Sequence, residues 1–210
     1  MPYFYNSMQE ENHIPTDRYR SIAAPSTGYY RDNGSKFLAF AYPVESEEEI
    51  KAHLEALRKE YFDARHHCYA WRLGLSGEPW RANDDGEPSS TAGRPILGQL
   101  LSAELSDILV VVVRYFGGVK LGVPGLIKAY KTATAEALAG ATVIEKTACA
   151  TCRIGFDYTR MNDVMKIVKE WDLKILSQRF ENDCELTVKV GLAKVDAFCE
   201  TFRWAQVEII

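Results

Sequence analysis

The residues best suited to chemistry lie between positions 84 and 131. Arg114-Tyr115-Phe116-Gly117-Gly118-Val119-Lys120-Leu121-Gly122-Val123-Pro124-Gly125 joins a β-branched run to a helical pattern. A glycine-rich turn from a strand into a helix offers free backbone N–H groups and the positive end of a helix dipole. Glycines also let the backbone approach a ligand closely. Arg114 and Lys120 add positive charge, and Lys128 and Lys131 extend it along one helix face. The candidate anion- or nucleic-acid-binding set is therefore Arg114, Gly117, Gly118, Lys120, Gly122, Lys128 and Lys131. The spacing matches neither a Walker A loop nor a dinucleotide fingerprint. The competing reading is a tight structural connection that needs positive φ.

A second segment, Asn83-Asp84-Asp85-Gly86-Glu87-Pro88-Ser89-Ser90-Thr91-Ala92-Gly93, is acidic. Its carboxylates suit a hard cation, hydrogen bonds to loop N–H groups, or pairing with Arg94 or Arg114. The calcium-loop pattern is absent, so no metal is assigned. No G-x-S-x-G surrounds Ser89, Ser90 and Thr91, which are expected to cap the next helix. Arg65-His66-His67-Cys68 lacks a partner pair at zinc-ligand spacing. On a strand His66 and His67 point to opposite faces, as do Cys149 and Cys152. His67, Asp84, Asp85, Glu87, Thr91 and Arg94 are expected to support the glycine loop. No catalytic residue and no cofactor is assigned.

The elements that must position these groups follow from periodicity. Ser35 to Tyr42 reads as a strand, and Ser46 with Glu49 reads as a capping box before Ile50, Leu54, Leu57 and Tyr61. His67 to Leu73 is a strand, and residues 74–90 are turn formers. A helix starts near Pro95, and Ile108 to Tyr115 is a buried central strand. The helix after the glycine loop packs through Leu126, Ile127, Tyr130, Ala133, Thr134, Ala137 and Leu138, and ends at Gly140. Residues 1–35 are expected to add an edge strand. Residues 140–147 read as a boundary between domains 1–140 and 141–210. The second half reads β-α-β-β-α with a last short strand, a hairpin turning at Asn182-Asp183. That order is ferredoxin-like.

The charge distribution bears on partners. The net charge is −4, but residues 88–140 hold 5 Lys and Arg against 3 Asp and Glu, whereas residues 1–87 hold 10 against 15. A basic face is thus local. Five scattered cysteines argue against a disulfide framework and for a reducing, cytoplasmic setting. No apolar run approaches a membrane span.

DDGEPSSTAGRPIL (84–97) followed by VVVVRYFGGVKLGVPGLIKAY (110–130) resembles the YigZ/IMPACT family, with His67-Cys68-Tyr69-Ala70 and Gly34-Ser35-Lys36-Phe37 fitting as well. The resemblance implies an α+β chain. Its N-terminal domain would be like the second domain of ribosomal protein S5, and its C-terminal domain like the ferredoxin-like domain near the end of elongation factor G. It implies RNA, the ribosome or translation factors as partners. A protein partner is a second expectation, since eukaryotic members regulate translation through one. A hydrolase or transferase using His67 and the 84–91 loop is the alternative class. The family commonly has Gly where this chain has Ser90 and Arg where it has Lys128, and Pro124 removes an N–H. Lysine keeps the charge but loses the bidentate fork.

Overall fold

The structure, a computed structural model, describes residues 17–181 and 183–210. Residues 1–16 and Asn182, half of the expected hairpin turn, lie outside the described residues. The chain first forms β1 (Arg18–Ile22), β2 (Ser26–Asp32), β3 (Ser35–Pro43), α1 (Glu47–Glu60), β4 (His66–Arg72) and β5 (Trp80–Asn83). Then come α2 (Gly93–Ser102), β6 (Ile108–Tyr115), α3 (Gly122–Ala139) and β7 (Val143–Thr147). The rest forms β8 (Cys149–Asp157), α4 (Met161–Glu170), β9 (Lys174–Phe180), β10 (Asp183–Gly191), α5 (Val195–Thr201) and β11 (Gln206–Ile209). Residues 18–148 make one compact unit, and residues 149–210 make the body of a second.

In the first unit five antiparallel strands lie in the order β2-β3-β6-β4-β5. The β-branched run is central because both of its faces are covered. Val110 and Val112 pack with Phe37, Ile96, Leu100 and Tyr130 under α2 and α3. Leu109, Val111 and Val113 pack with Ile50, Leu54 and Leu57 of α1. Burial on both faces is what removes the usual polar alternation. Helix α1 starts as expected: Ser46 Oγ accepts from Glu49 N–H at 3.2 Å. The Glu49 carboxylate reaches back to Glu45 N–H at 2.7 Å, one residue earlier than in the usual capping box.

The stretch expected to be a linker is instead a strand. β7 pairs antiparallel with β1, Ile22 opposite Val143 and Arg18 opposite Thr147. The division therefore falls at Ala148/Cys149, later than residue 140. Buried Asp107 ties this ribbon down, accepting from Tyr19 Oη (2.6 Å), Lys146 Nζ (2.7 Å) and Gly74 N–H (2.8 Å). Burial works against ionisation of Lys146, but its hydrogen bonds to Asp107 and Glu45 outweigh that and raise its pKa.

In the second unit the antiparallel sheet order is β11-β8-β10-β9. Val164 and Val168 of α4 and Phe198 of α5, with Phe202, pack on Cys152, Ile154, Leu186 and Val188. Cys149 is exposed and Cys152 buried, so the C-x-x-C pair is split across the strand. No helix of the described residues is long and apolar enough to cross a membrane.

Candidate functional site

The acidic segment and the glycine loop meet at one buried contact. Arg114 Nη1 donates to Glu87 Oε1 at 2.5 Å, with 7% and 4% of the two side chains exposed. Tyr130 Oη, from α3, donates to the same oxygen at 2.8 Å. Cys68 Sγ donates to Tyr130 Oη at 3.2 Å. The guanidinium carbon lies 5.4 Å from the Phe37 ring and 5.7 Å from the Phe116 ring. Arg114 was expected to face an anion. Its charge is instead neutralised inside the fold, because an arginine on the α3 side of a central strand must be paired to be buried. Burial also pushes the Cys68 thiol and the Tyr130 phenol well above their usual ranges. Neither is poised as a nucleophile or base.

The other carboxylates are occupied by backbone. Asp84 Oδ1 accepts from Ala92 N–H (3.0 Å) and Gly93 N–H (2.8 Å), and Oδ2 accepts from Ser90 N–H (2.8 Å). Asp84 thereby caps α2 from outside the helix. This corrects the expectation that Ser89, Ser90 or Thr91 would cap it: Ala92 at the cap position has no side-chain cap bond, and Thr91 Oγ1 donates to Pro88 O. Asp85 accepts from His67 N–H at 2.7 Å and from Arg58 Nη2 at 3.3 Å. Arg94 pairs with none of these carboxylates; its guanidinium lies 5.2 Å from the Trp80 ring centroid. Among the described residues no cluster could hold a metal ion.

His67 touches Asp85 of the acidic segment but lies on the other face of the sheet from Arg114. It is opposite Val113, on the α1 side of the sheet, whereas Arg114 faces the α2 and α3 side with Phe37. Its side chain is 7% exposed, and Nε2 has no hydrogen-bond partner among the described residues. Burial lowers its pKa, opposed by the nearby charge of Asp85. An open catalytic cleft around His67 is not what the geometry presents.

The glycines of the loop answer first to geometry. Gly117 N–H donates to Ser35 Oγ at 3.1 Å. A Cβ at Gly117 would lie 2.0 Å from the Gly34 carbonyl carbon, so no other residue fits. Gly118 and Gly122 take φ of 89° and 70°. Lys120, Lys128 and Lys131 are all exposed. The first turn of α3 contains no acid, and no side chain caps it. Interleaved with the lysines are exposed Phe116, Val119, Val123 and Ile127. Ile127 was expected on the packed side. Within α3 the spacing of Val123 and Ile127 is itself helical, and it marks this second, outward stripe.

Comparison with known proteins places these features. The family model of the Impact N-terminal domain matches residues 33–138. The IMPACT family member YigZ of Escherichia coli (strain K12) is 35% identical over 178 residues, covering 84% of this chain and 87% of that protein. The chain belongs to the IMPACT family. YvyE of Bacillus subtilis (strain 168), another IMPACT family member, is 33% identical over 166 residues, 79% of this chain and 76% of that one. A crystal structure of a hypothetical protein superimposes with a TM-score of 0.73 at 33% identity, covering 92% of this chain and 97% of that one. The matched IMPACT segment contains the buried Arg114–Glu87 pair and the exposed lysine face alike.

Proposed function

We propose that this IMPACT-family chain is a cytoplasmic binding protein of the translation machinery, whose 116–131 face contacts RNA phosphates. The observation that carries the reading is the pairing of three exposed lysines, Lys120, Lys128 and Lys131, with an α3 N-terminus that has no acid in its first turn and no side-chain cap. Such a surface attracts phosphate without reading sequence. Glu87, Asp84 and Arg114 act behind it, holding the two loops together. The relatives' family supports a role in regulating translation. The β8-α4-β9-β10-α5-β11 order and the sheet order β11-β8-β10-β9 support a ferredoxin-like second domain. The resemblance of the first unit to the second domain of ribosomal protein S5 belongs to the same reading.

One observation favours a protein partner on the same face: Phe116, Val119 and Val123 are each more than half exposed. Aromatic and apolar groups at a surface mark protein interfaces. Titration of a labelled structured RNA at several salt concentrations separates the two. Affinity that falls steeply with salt supports phosphate contact. Absence of binding at low ionic strength, with a ribosomal protein captured in its place, would move the reading to the protein partner.

A further inference from the structure

The second unit holds a cleft of 730 Å³ at one end of its sheet, lined by Gly155, Asp157, Arg160, Arg179, Asp183 and Trp204 among others. That volume suits a small organic ligand. Three features of it bear on what it could hold. First, Gly155 lies mid-strand, where glycine weakens a sheet and commonly marks a bulge or a close approach. The β8–β10 register runs unbroken past it, Gly155 opposite Glu185. A Cβ there would meet Gln206 only at an ordinary 3.6 Å. Neither a bulge nor a crowded backbone calls for the glycine, which leaves the cleft floor open.

Second, Asp157 and Asp183 stand directly opposite each other across β8 and β10. Like charges in that position destabilise a sheet. Third, Trp204 is 40% exposed beside the cleft, with the Arg160 guanidinium 5.1 Å from its ring. Among the described residues the ion pairs of Arg160, Arg179 and Arg203, with Asp163, Glu185 and Glu200, are exposed. Such pairs hold their partners weakly in water. The guanidinium edges are thus available to a ligand.

We infer that this cleft binds a nucleoside phosphate whose base carries N–H donors on its edge. The indole stacks on the base. The arginines take the phosphate, for which their planar fork is suited. Asp157 and Asp183 accept from the base edge, since an ionised carboxylate is an acceptor and not a donor. Guanine, with adjacent N1–H and N2–H donors, fits the pair; uracil, with one N–H between two carbonyls, does not. The ligand is a free nucleotide or one residue of an RNA strand. The inference does not rest on the 116–131 face.

Calorimetric titration of the full chain with guanosine, cytidine, adenosine and uridine 5′-monophosphates, and with a guanosine-containing tetranucleotide, tests it. Guanosine monophosphate should bind at least tenfold more tightly than uridine monophosphate. Trp204→Leu should weaken binding at least tenfold. Asp157→Asn with Asp183→Asn should remove the base preference. Gly155→Val should abolish binding while leaving the thermal midpoint equal or higher, so that loss of binding is not loss of fold. Binding of the free nucleotide assigns a small-molecule ligand, and binding of the tetranucleotide alone assigns a strand. Failure of both at millimolar concentration, or unchanged affinity in Gly155→Val, would overturn the site.

Discussion

Arg114 and Glu87 stand 27 residues apart in sequence and share a buried ion pair, closed over by Phe37 and Phe116. Removing one partner leaves the other charged and unpaired in the core. Glu87→Gln should therefore destabilise the first unit by roughly 3–5 kcal/mol. Tyr130→Phe, which removes the hydrogen bond to Glu87 and the acceptor of the Cys68 thiol but leaves the ion pair, should cost about 1.5–3 kcal/mol. Urea unfolding of both variants checks the order, and a larger loss in Tyr130→Phe would contradict it.

Asp84 holds three backbone N–H groups at the start of α2. Asp84→Ala should cost about 0.5–2 kcal/mol, as loss of a cap does. The more specific readout is hydrogen exchange: the amides of Ser90, Ala92 and Gly93 should lose protection first, ahead of those in β6.

His67 is buried with its pKa lowered by desolvation. The unfolded chain then takes up the proton first, at about pH 6.5. Stability from the neutral ring is full above that value and is lost as pH falls through the lower, folded pKa. The thermal midpoint should drop between pH 7 and pH 5, and His67→Gln should flatten that drop. An equally steep profile in the variant would show that another group titrates.

A fragment ending at residue 140 lacks β7, and with it Lys146 on Asp107. It should be less stable than the 1–148 fragment by roughly 3–5 kcal/mol, the cost of stranding a buried carboxylate. Equal denaturation midpoints would mean that the β1–β7 ribbon contributes nothing to the first unit.

If Lys120 and Lys128 touch phosphate, Lys120→Ala and Lys128→Ala should each flatten the salt slope of RNA binding by about one unit. Lys128→Arg should strengthen binding by restoring a fork. Arg114→Ala should lower stability and leave the slope of the folded fraction unchanged.

The legible parts of the chain were those in which cause and effect lie close together. β6 spans the expected residues because a continuous β-branched run can be buried on both faces, and Ser46 caps α1 because capping acts over three residues. Residues 140–147 read as a domain boundary because Val143–Thr147 is short and mostly exposed, and only the distant partner β1 makes it a strand. Arg114 showed its charge in the sequence but not its burial, which depends on Glu87 and Phe37 arriving from elsewhere. Asp84 escaped for the same reason, since it caps from eight positions upstream.

The contact of Gly117 with Gly34 and Ser35 brings two backbone segments together, with the Ser35 hydroxyl accepting from the Gly117 N–H. A randomised library at position 117, selected for folded protein, should return glycine alone. Position 118, where an added Cβ would meet nothing within 4 Å, should also admit asparagine and aspartate, the residues that best tolerate positive φ. Two neighbouring glycines would thus part company under selection, one held by its neighbour's atoms and the other only by its own torsion.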